Sequence, residues 1–357
     1  MASIKEVSER AGVSVSTVSN VINGTKYVSS ALQERVQHAI EELNYEVDPV
    51  ARSMKTGKTN QIGVITADIS GLFYPYVIKG ICDKATASDY IVSVSDIGSI
   101  RDPKQVFARE MKCFKSLIQN RVDGIIFASS ISEEDTERFF SELKKLAKGY
   151  KPVALVSIER DLSHCGIDSV FYDNVEGAKK AVLHLVDEGC QNIVHIAGPE
   201  GARVVQDRIK GYLDTLEQIG EKEQDRIVHA DYTHQGGYLA MKKLLELKPD
   251  LDGVFVANDQ MAVGAIKLLQ QYGKNVPEDV KVIGFDDVFV AGIVNPPLST
   301  IRVRKKRMGM RGAEMLIERL LNKHTDEEVL REELDTFLIR RQSTQSCIEE
   351  DCELSEW

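Results

Sequence analysis

From Gln61 onward, short apolar runs alternate with amphipathic stretches, and this alternation restricts the fold more than any other feature of the chain. Residues 62–65, 90–94, 122–127, 152–156, 193–197, 253–257 and 280–285 read as strands, with helices at 177–188, 209–219, 236–247 and 261–272 among the segments between them. Apolar strands separated by helices build parallel sheets of βαβ units. Ligands of such sheets sit at the carboxyl ends of the strands.

Those ends carry a suggestive set of side chains. Phe73 and Tyr74 follow the first strand, Arg160 and Asp161 the fourth; Asp207 and Arg208, Asn258 and Asp259, and Asp286 and Asp287 follow later ones. Carboxylates, amides and guanidinium groups beside aromatic rings suit a polyhydroxylated ligand, because paired acceptors and donors meet hydroxyls and a ring covers an apolar face. Each loop Asp or Asn has a second reading as a helix cap.

The first sixty residues follow a different pattern. Ser3 three residues before Glu6 is the capping-box spacing and starts a helix with Ile4, Val7 and Ala11 on one face. Gly12 makes a sharp turn, Ser14 caps a second helix ending at Asn23-Gly24, and Ser29 or Ser30 starts a third carrying Leu32, Val36, Ala39, Ile40 and Leu43. The second helix exposes Val15, Ser16, Thr17, Ser19 and Asn20, where an ordinary surface helix carries Lys, Glu and Arg. Short donors and acceptors suit close approach to base edges; the plainer alternative is a small capped helix with solvated serines. Residues 48–58, with Pro49 near the start and Gly57 near the end, read as a two-turn helix that forms only against a partner, or as an interdomain linker.

Charge and composition set limits. A net charge of -10 seems to oppose nucleic acid, but residues 1–60 hold seven basic and seven acidic side chains and are neutral, so the remainder carries the whole excess. Binding therefore depends on placed contacts and a doubled site rather than on a basic patch. With no apolar run of about eighteen residues and no signal core, the chain reads as cytoplasmic, with no membrane partner. Its six cysteines and seven histidines show no ligand spacing, so no metal site is expected, and His195 reads as a core histidine. No phosphate-cradling glycine loop, nucleophile elbow or other catalytic constellation is present, so neither catalysis nor a cofactor is implied.

Together these parts resemble the LacI/GalR family of bacterial transcription regulators, from about Ile4 to Ser343. The resemblance rests on many spaced segments. Ile4-Lys5-Glu6-Val7, Ala11-Gly12-Val13-Ser14, Thr17-Val18-Ser19, Val21-Ile22-Asn23, Val28-Ser29, Glu42-Leu43-Asn44-Tyr45 and Pro49-Val50-Ala51-Arg52-Ser53-Met54 carry it at the amino end. Ala257-Asn258-Asp259-Gln260-Met261-Ala262, Gly264-Ala265, Ile283-Gly284-Phe285-Asp286-Asp287 and Pro297-Leu298-Ser299-Thr300-Ile301 carry it in the body.

The resemblance implies an all-α three-helix helix-turn-helix headpiece over residues 1–47 and a hinge helix and linker over 48–60. A periplasmic-binding-protein-like (type I) α/β domain of two parallel-sheet subdomains would span 61–345, followed by an acidic tail, 346–357. The N-subdomain would take about 61–159 and 292–322, the C-subdomain about 160–291 and 323–345. Operator readers fall on Val15, Ser16 and Asn20, with Ser3, Ser14, Thr17, Ser19, Asn23 and Val28 also on the DNA-facing set. Arg52, Ser53 and Met54 fall on the hinge, Met54 at the position of an apolar wedge into the minor groove. Effector contacts fall on Phe73, Arg160, Arg208, Asn258 and Asp286. The implied function is a dimeric repressor of a carbohydrate-utilisation operon, bound to near-palindromic double-stranded operator DNA. Its effector would be a sugar or sugar phosphate, with a nucleobase or a phosphoprotein co-regulator as lesser alternatives. The tail lacks the leucine heptads of a tetramerising helix, so a homodimer is expected.

Two other classes compete. A periplasmic solute-binding protein shares the body's fold but would carry a signal peptide in place of the sixty-residue amino-terminal unit. An α/β dehydrogenase or sugar kinase would need a phosphate-cradling glycine loop.

Overall fold

Three short helices close one small core at the amino end. The computed structural model describes residues 2–24, 26–46, 57–98, 102–220, 226–321 and 328–345. It divides into two compact units, Met1–Thr59 and Asn60–Trp357. Helix α1 (Ile4–Ala11) starts in a complete capping box: the Ser3 side chain accepts from the Glu6 amide, and the Ser3 amide donates to the Glu6 carboxylate at 2.6 Å. Gly12 takes φ 60°, a left-handed conformation that suits glycine, and turns the chain into α2 (Val15–Asn23). With α3 (Ser30–Glu42), these helices bury Val7, Ala11, Val18, Val36 and Ala39. Arg35 on α3 donates to the Ala11 carbonyl at 2.5 Å and so fixes the end of α1. Of the expected hinge and linker, residues 48–56, including Arg52, Ser53 and Met54, lie outside the described residues, as does the acidic tail 346–357.

The second unit runs β1 (Gln61–Thr66), α4 (Tyr74–Thr86), β2 (Ile91–Asp96), α5 (Pro103–Gln119), β3 (Gly124–Phe127), α6 (Glu133–Ala147), β4 (Ala154–Ile158) and β5 (Asp168–Tyr172). It continues with α7 (Asn174–Asp187), β6 (Ile193–Ala197), α8 (Arg203–Gln218), β7 (Ile227–His229), α9 (His234–Leu247), β8 (Gly253–Val256), α10 (Asp259–Gln271) and β9 (Lys281–Asp286). The last elements are α11 (Val290–Ile293), β10 (Ser299–Val303), α12 (Lys305–Leu320), β11 (Arg331–Leu334) and β12 (Thr336–Ile339).

Two six-stranded sheets result, ordered β11-β5-β4-β3-β1-β2 and β12-β10-β9-β8-β6-β7, which define an N-lobe and a C-lobe. Among the described residues, all pairings are parallel except β10 with β12, so the C-lobe sheet ends in one antiparallel strand. The chain passes between lobes three times, at 172–174, 303–305 and 334–336. This corrects the subdomain bounds expected from sequence. Residues 160–172 and 331–334 belong with the N-lobe sheet and 299–303 with the C-lobe sheet, because β5, β11 and β10 find their partners there. Such pairings are long-range and leave no local mark in the sequence.

Helices α4 and α12 pack through glycine. A Cβ on Gly80 would fall 2.0 Å from the Lys306 carbonyl oxygen, and one on Gly309 would fall 2.0 Å from that of Val77. The C-lobe repeats this device between α9 and α10, where a Cβ on Gly264 would meet the His234 carbonyl at 1.9 Å. Among the described residues no helix is long and apolar enough to cross a membrane.

Candidate DNA-reading helix and effector cleft

In the first unit, α2 presents Val15, Ser16, Thr17, Ser19 and Asn20, with Val15 39% exposed despite its apolar side chain. Ser14 caps this helix by accepting from the Thr17 amide at 3.1 Å, and its hydroxyl lies 2.7 Å from that of Ser16 and 2.9 Å from that of Thr17. These three hydroxyls form a chain at the amino end of the helix, where backbone amides also point outward and suit a phosphate oxygen. Asn23 folds back onto the Ser19 carbonyl at 2.7 Å, and Ser3 is engaged in starting α1. The Val28 side chain is buried, and its carbonyl accepts from Gln33 at 3.1 Å.

The second unit holds a cavity of about 390 Å³ whose walls come from the carboxyl ends of strands in both lobes. Phe73, Arg160, Arg208, Asn258 and Asp286, which lie far apart in sequence, all line it. Arg208, 3% exposed, sits in its floor. It donates to Asn174 at 2.9 Å and to the Ala257 carbonyl, faces Asp286 at 3.4 Å, and lies 3.8 Å over the Phe285 ring. Burial raises the Asp286 carboxyl to about 6, a rise that Arg208 and Lys305 oppose. Phe73 lies at the start of α4 with its ring edge-to-face against Tyr74, centroids 5.2 Å apart.

Two of the expected residues also serve the scaffold. Asn258 caps α10, accepting from the Met261 amide at 2.9 Å while donating to the Tyr232 carbonyl at 3.2 Å. Arg160 is braced against α6 by the Ile131 carbonyl at 2.6 Å, Thr136 at 3.1 Å and Glu133 at 3.1 Å. Glu133 also meets Arg203 on α8 at 3.3 Å, an ion pair that joins the two lobes. Outside the cleft, Asp161 pairs with Arg331 at 2.7 Å, and buried Asp259 accepts from Thr300 and the Val288 amide at 2.6 and 2.7 Å. Both are structural.

Sequence reasoning passed over Glu159 and Tyr232. Glu159 accepts from the Tyr74 hydroxyl at 2.5 Å; burial raises its carboxyl, and Asp286 adds to the rise while Tyr74 and Arg208 oppose it. Adjacent to Arg160 at the end of β4, it was within reach of the strand-end rule. Tyr232, its phenol pushed up to about 12 by burial, follows the three-residue strand β7, which is too short to show in the sequence.

Known proteins show where this combination recurs. Residues 3–48 match the family of bacterial regulatory proteins, lacI family, and 182–344 match the periplasmic binding protein-like domain. A ribose operon repressor from Halalkalibacterium halodurans is 31% identical over 344 residues, covering 96% of this chain and 97% of that one. The chain belongs to the lacI family of bacterial regulatory proteins. An HTH-type transcriptional repressor PurR from Vibrio vulnificus is 32% identical, covering 92% of this chain and 95% of that one. The lac repressor dimer bound to operator and the anti-inducer ONPF superposes with a TM-score of 0.84 at 25% identity, over 96% of this chain and 99% of that one. Membership in the lacI family makes this chain a DNA-binding transcription regulator rather than an enzyme.

Proposed function

We propose that the protein is a cytoplasmic, dimeric repressor of a carbohydrate-utilisation operon that releases or grips a near-palindromic operator according to a neutral sugar in the cleft. The observation that carries this reading is the cleft's polar floor, within a chain that also bears the small-polar face of α2. Among the described residues, six carboxylates and three arginines line the cavity: Asp68, Asp135, Glu159, Glu200, Asp231 and Asp286 against Arg160, Arg203 and Arg208. All three arginines already face carboxylates. Acceptors in excess favour a ligand rich in hydroxyl donors, and a phosphate would have to draw a guanidinium away from its partner. This favours the free sugar over the sugar phosphate. A relative named as a ribose operon repressor makes D-ribose the first probe, and the Phe73 and Tyr74 rings lining the cavity make a planar nucleobase the one to compare with it.

Two copies of α2 would enter successive major grooves, with Val15, Ser16 and Asn20 at base edges. The hinge, with Met54 as wedge, would form at the centre of the operator. The test is selection of a duplex from a randomised palindromic pool, followed by fluorescence anisotropy with D-ribose, ribose 5-phosphate and adenine as titrants. A change in operator affinity with D-ribose alone supports the reading; a response to the phosphate at equal or lower concentration overturns the neutral-sugar assignment. Failure to enrich any duplex overturns the repressor assignment itself.

A further inference from the structure

Lys305 is the first residue of α12, at the point where the chain leaves C-lobe strand β10 for an N-lobe helix. Its side chain is buried, and its ammonium donates to three main-chain carbonyls: Asp286 at 2.6 Å, Asp287 at 2.8 Å and Val303 at 3.5 Å. Two of these belong to the turn that carries a cleft carboxylate into place.

That turn is strained. Asp286 has φ 100° and Asp287 φ 53°, a left-handed pair that side-chain-bearing residues avoid unless their surroundings enforce it. The carbonyls of both residues converge on one ammonium. The Asp287 carboxylate is held separately, by Arg302 at 2.6 Å and Arg341 at 2.8 Å, while its amide donates to Thr300 at 3.3 Å. The neighbouring Val288 amide donates to Asp259 at 2.7 Å. Side-chain contacts therefore hold Asp287 on the C-lobe, and Lys305 holds the backbone.

We infer that Lys305 is a positioning residue: it keeps the Asp286-Asp287 turn left-handed, so that the Asp286 carboxylate faces the cleft, and it links that turn to the start of α12. A ligand that shifts Asp286 then pulls on the root of an N-lobe helix through one side chain. This rests on the cleft being the effector site, but the state of the turn can be read without any effector.

The experiment is amide hydrogen exchange on the full-length protein, wild type against Lys305→Met, which keeps the length and removes the donors. Lys305→Gln, with two donors on a shorter arm, serves as an intermediate and carries the test if the methionine variant does not fold. Exchange at the Asp287 and Val288 amides should accelerate at least tenfold in Lys305→Met and less in Lys305→Gln, with strand β8 unchanged. Wild-type rates at 287 and 288, or an acceleration shared equally by β8, would overturn the proposal. A D-ribose arm separates the two readings. If wild-type protein gives no protection with D-ribose, the ribose assignment of the cleft fails, while the ligand-free rates still judge Lys305.

Discussion

Asn20 is the side chain on α2 best suited to naming a base. A bidentate amide contact to adenine contributes about 1–3 kcal/mol of discrimination, so Asn20→Ala should lower affinity for the selected operator by that amount and flatten preference at one base pair. Equal losses on all duplexes, measured by anisotropy, would assign it to the backbone instead. A second residue reports on pH. Glu110 on α5 is fully buried, and one carboxylate oxygen accepts from the Ser130 amide at 3.2 Å. Burial, the dominant cause, raises it to about 7, above the usual carboxylate range. A folded pKa above the unfolded one gives stability that is present in full at low pH and lost as pH climbs from roughly 4.5 through 7. The melting temperature of Glu110→Gln should therefore gain on that of wild type between pH 5 and pH 8, by the equivalent of up to about 3 kcal/mol. A constant gap would refute the raised carboxyl. At this scale the cleft was largely legible, because strand ends are where α/β sheets hold ligands and charged residues there are conspicuous. Asn258 shows the limit, since it is both cap and cleft wall and no spacing rule separates the two. Lys305 was missed because its role arises from contacts between distant segments.

Among the elements, α4 and α12 constrain each other through one glycine on each helix. The added methyl of Gly80→Ala or Gly309→Ala would improve helix propensity by about 1 kcal/mol, yet it would press into a carbonyl of the facing helix. Backbone cannot yield as a flexible side chain does, so overpacking should win and each variant should lose about 1–3 kcal/mol. Chemical denaturation checks this; unchanged midpoints would show that the helices separate freely. Strands β1 to β4, β6, β8 and β9 could be read from the sequence because they are apolar runs. The edge strand β11, Arg331-Glu332-Glu333-Leu334, could not, since its side chains are mostly charged and its partner β5 lies far earlier in the chain. The three helices of the first unit were legible nearly to the residue, because caps and glycine stops are local chemistry.

For the molecule as a whole, the Glu133–Arg203 pair joins the lobes beside the cleft. Both partners are nearly half exposed, and such pairs contribute about 0–1 kcal/mol. Glu133→Gln should therefore shift D-ribose affinity by no more than about fivefold, and the shift should vanish in about 0.5 M salt, where charges are screened within a few ångströms. A salt-insensitive change in the calorimetric titration would mean that the residue acts through its contact with buried Arg160 instead. The βαβ rhythm implied parallel sheets, and the family resemblance implied their division into two lobes; the points of crossing were not foreseeable, because only strand pairing defines them.

Those three crossings also bear on how the protein is made. As the chain leaves the ribosome, the headpiece helices are complete by Glu42, and so form a unit able to close early. The N-lobe sheet still lacks its edge strand β11, and its face lacks α12, until residue 334 has been synthesised, by which time most of the C-lobe has emerged. Neither lobe can mature ahead of the other, and truncated nascent chains ending near residue 300 will expose the N-lobe face that α12 covers, leaving an apolar surface for chaperones or for aggregation.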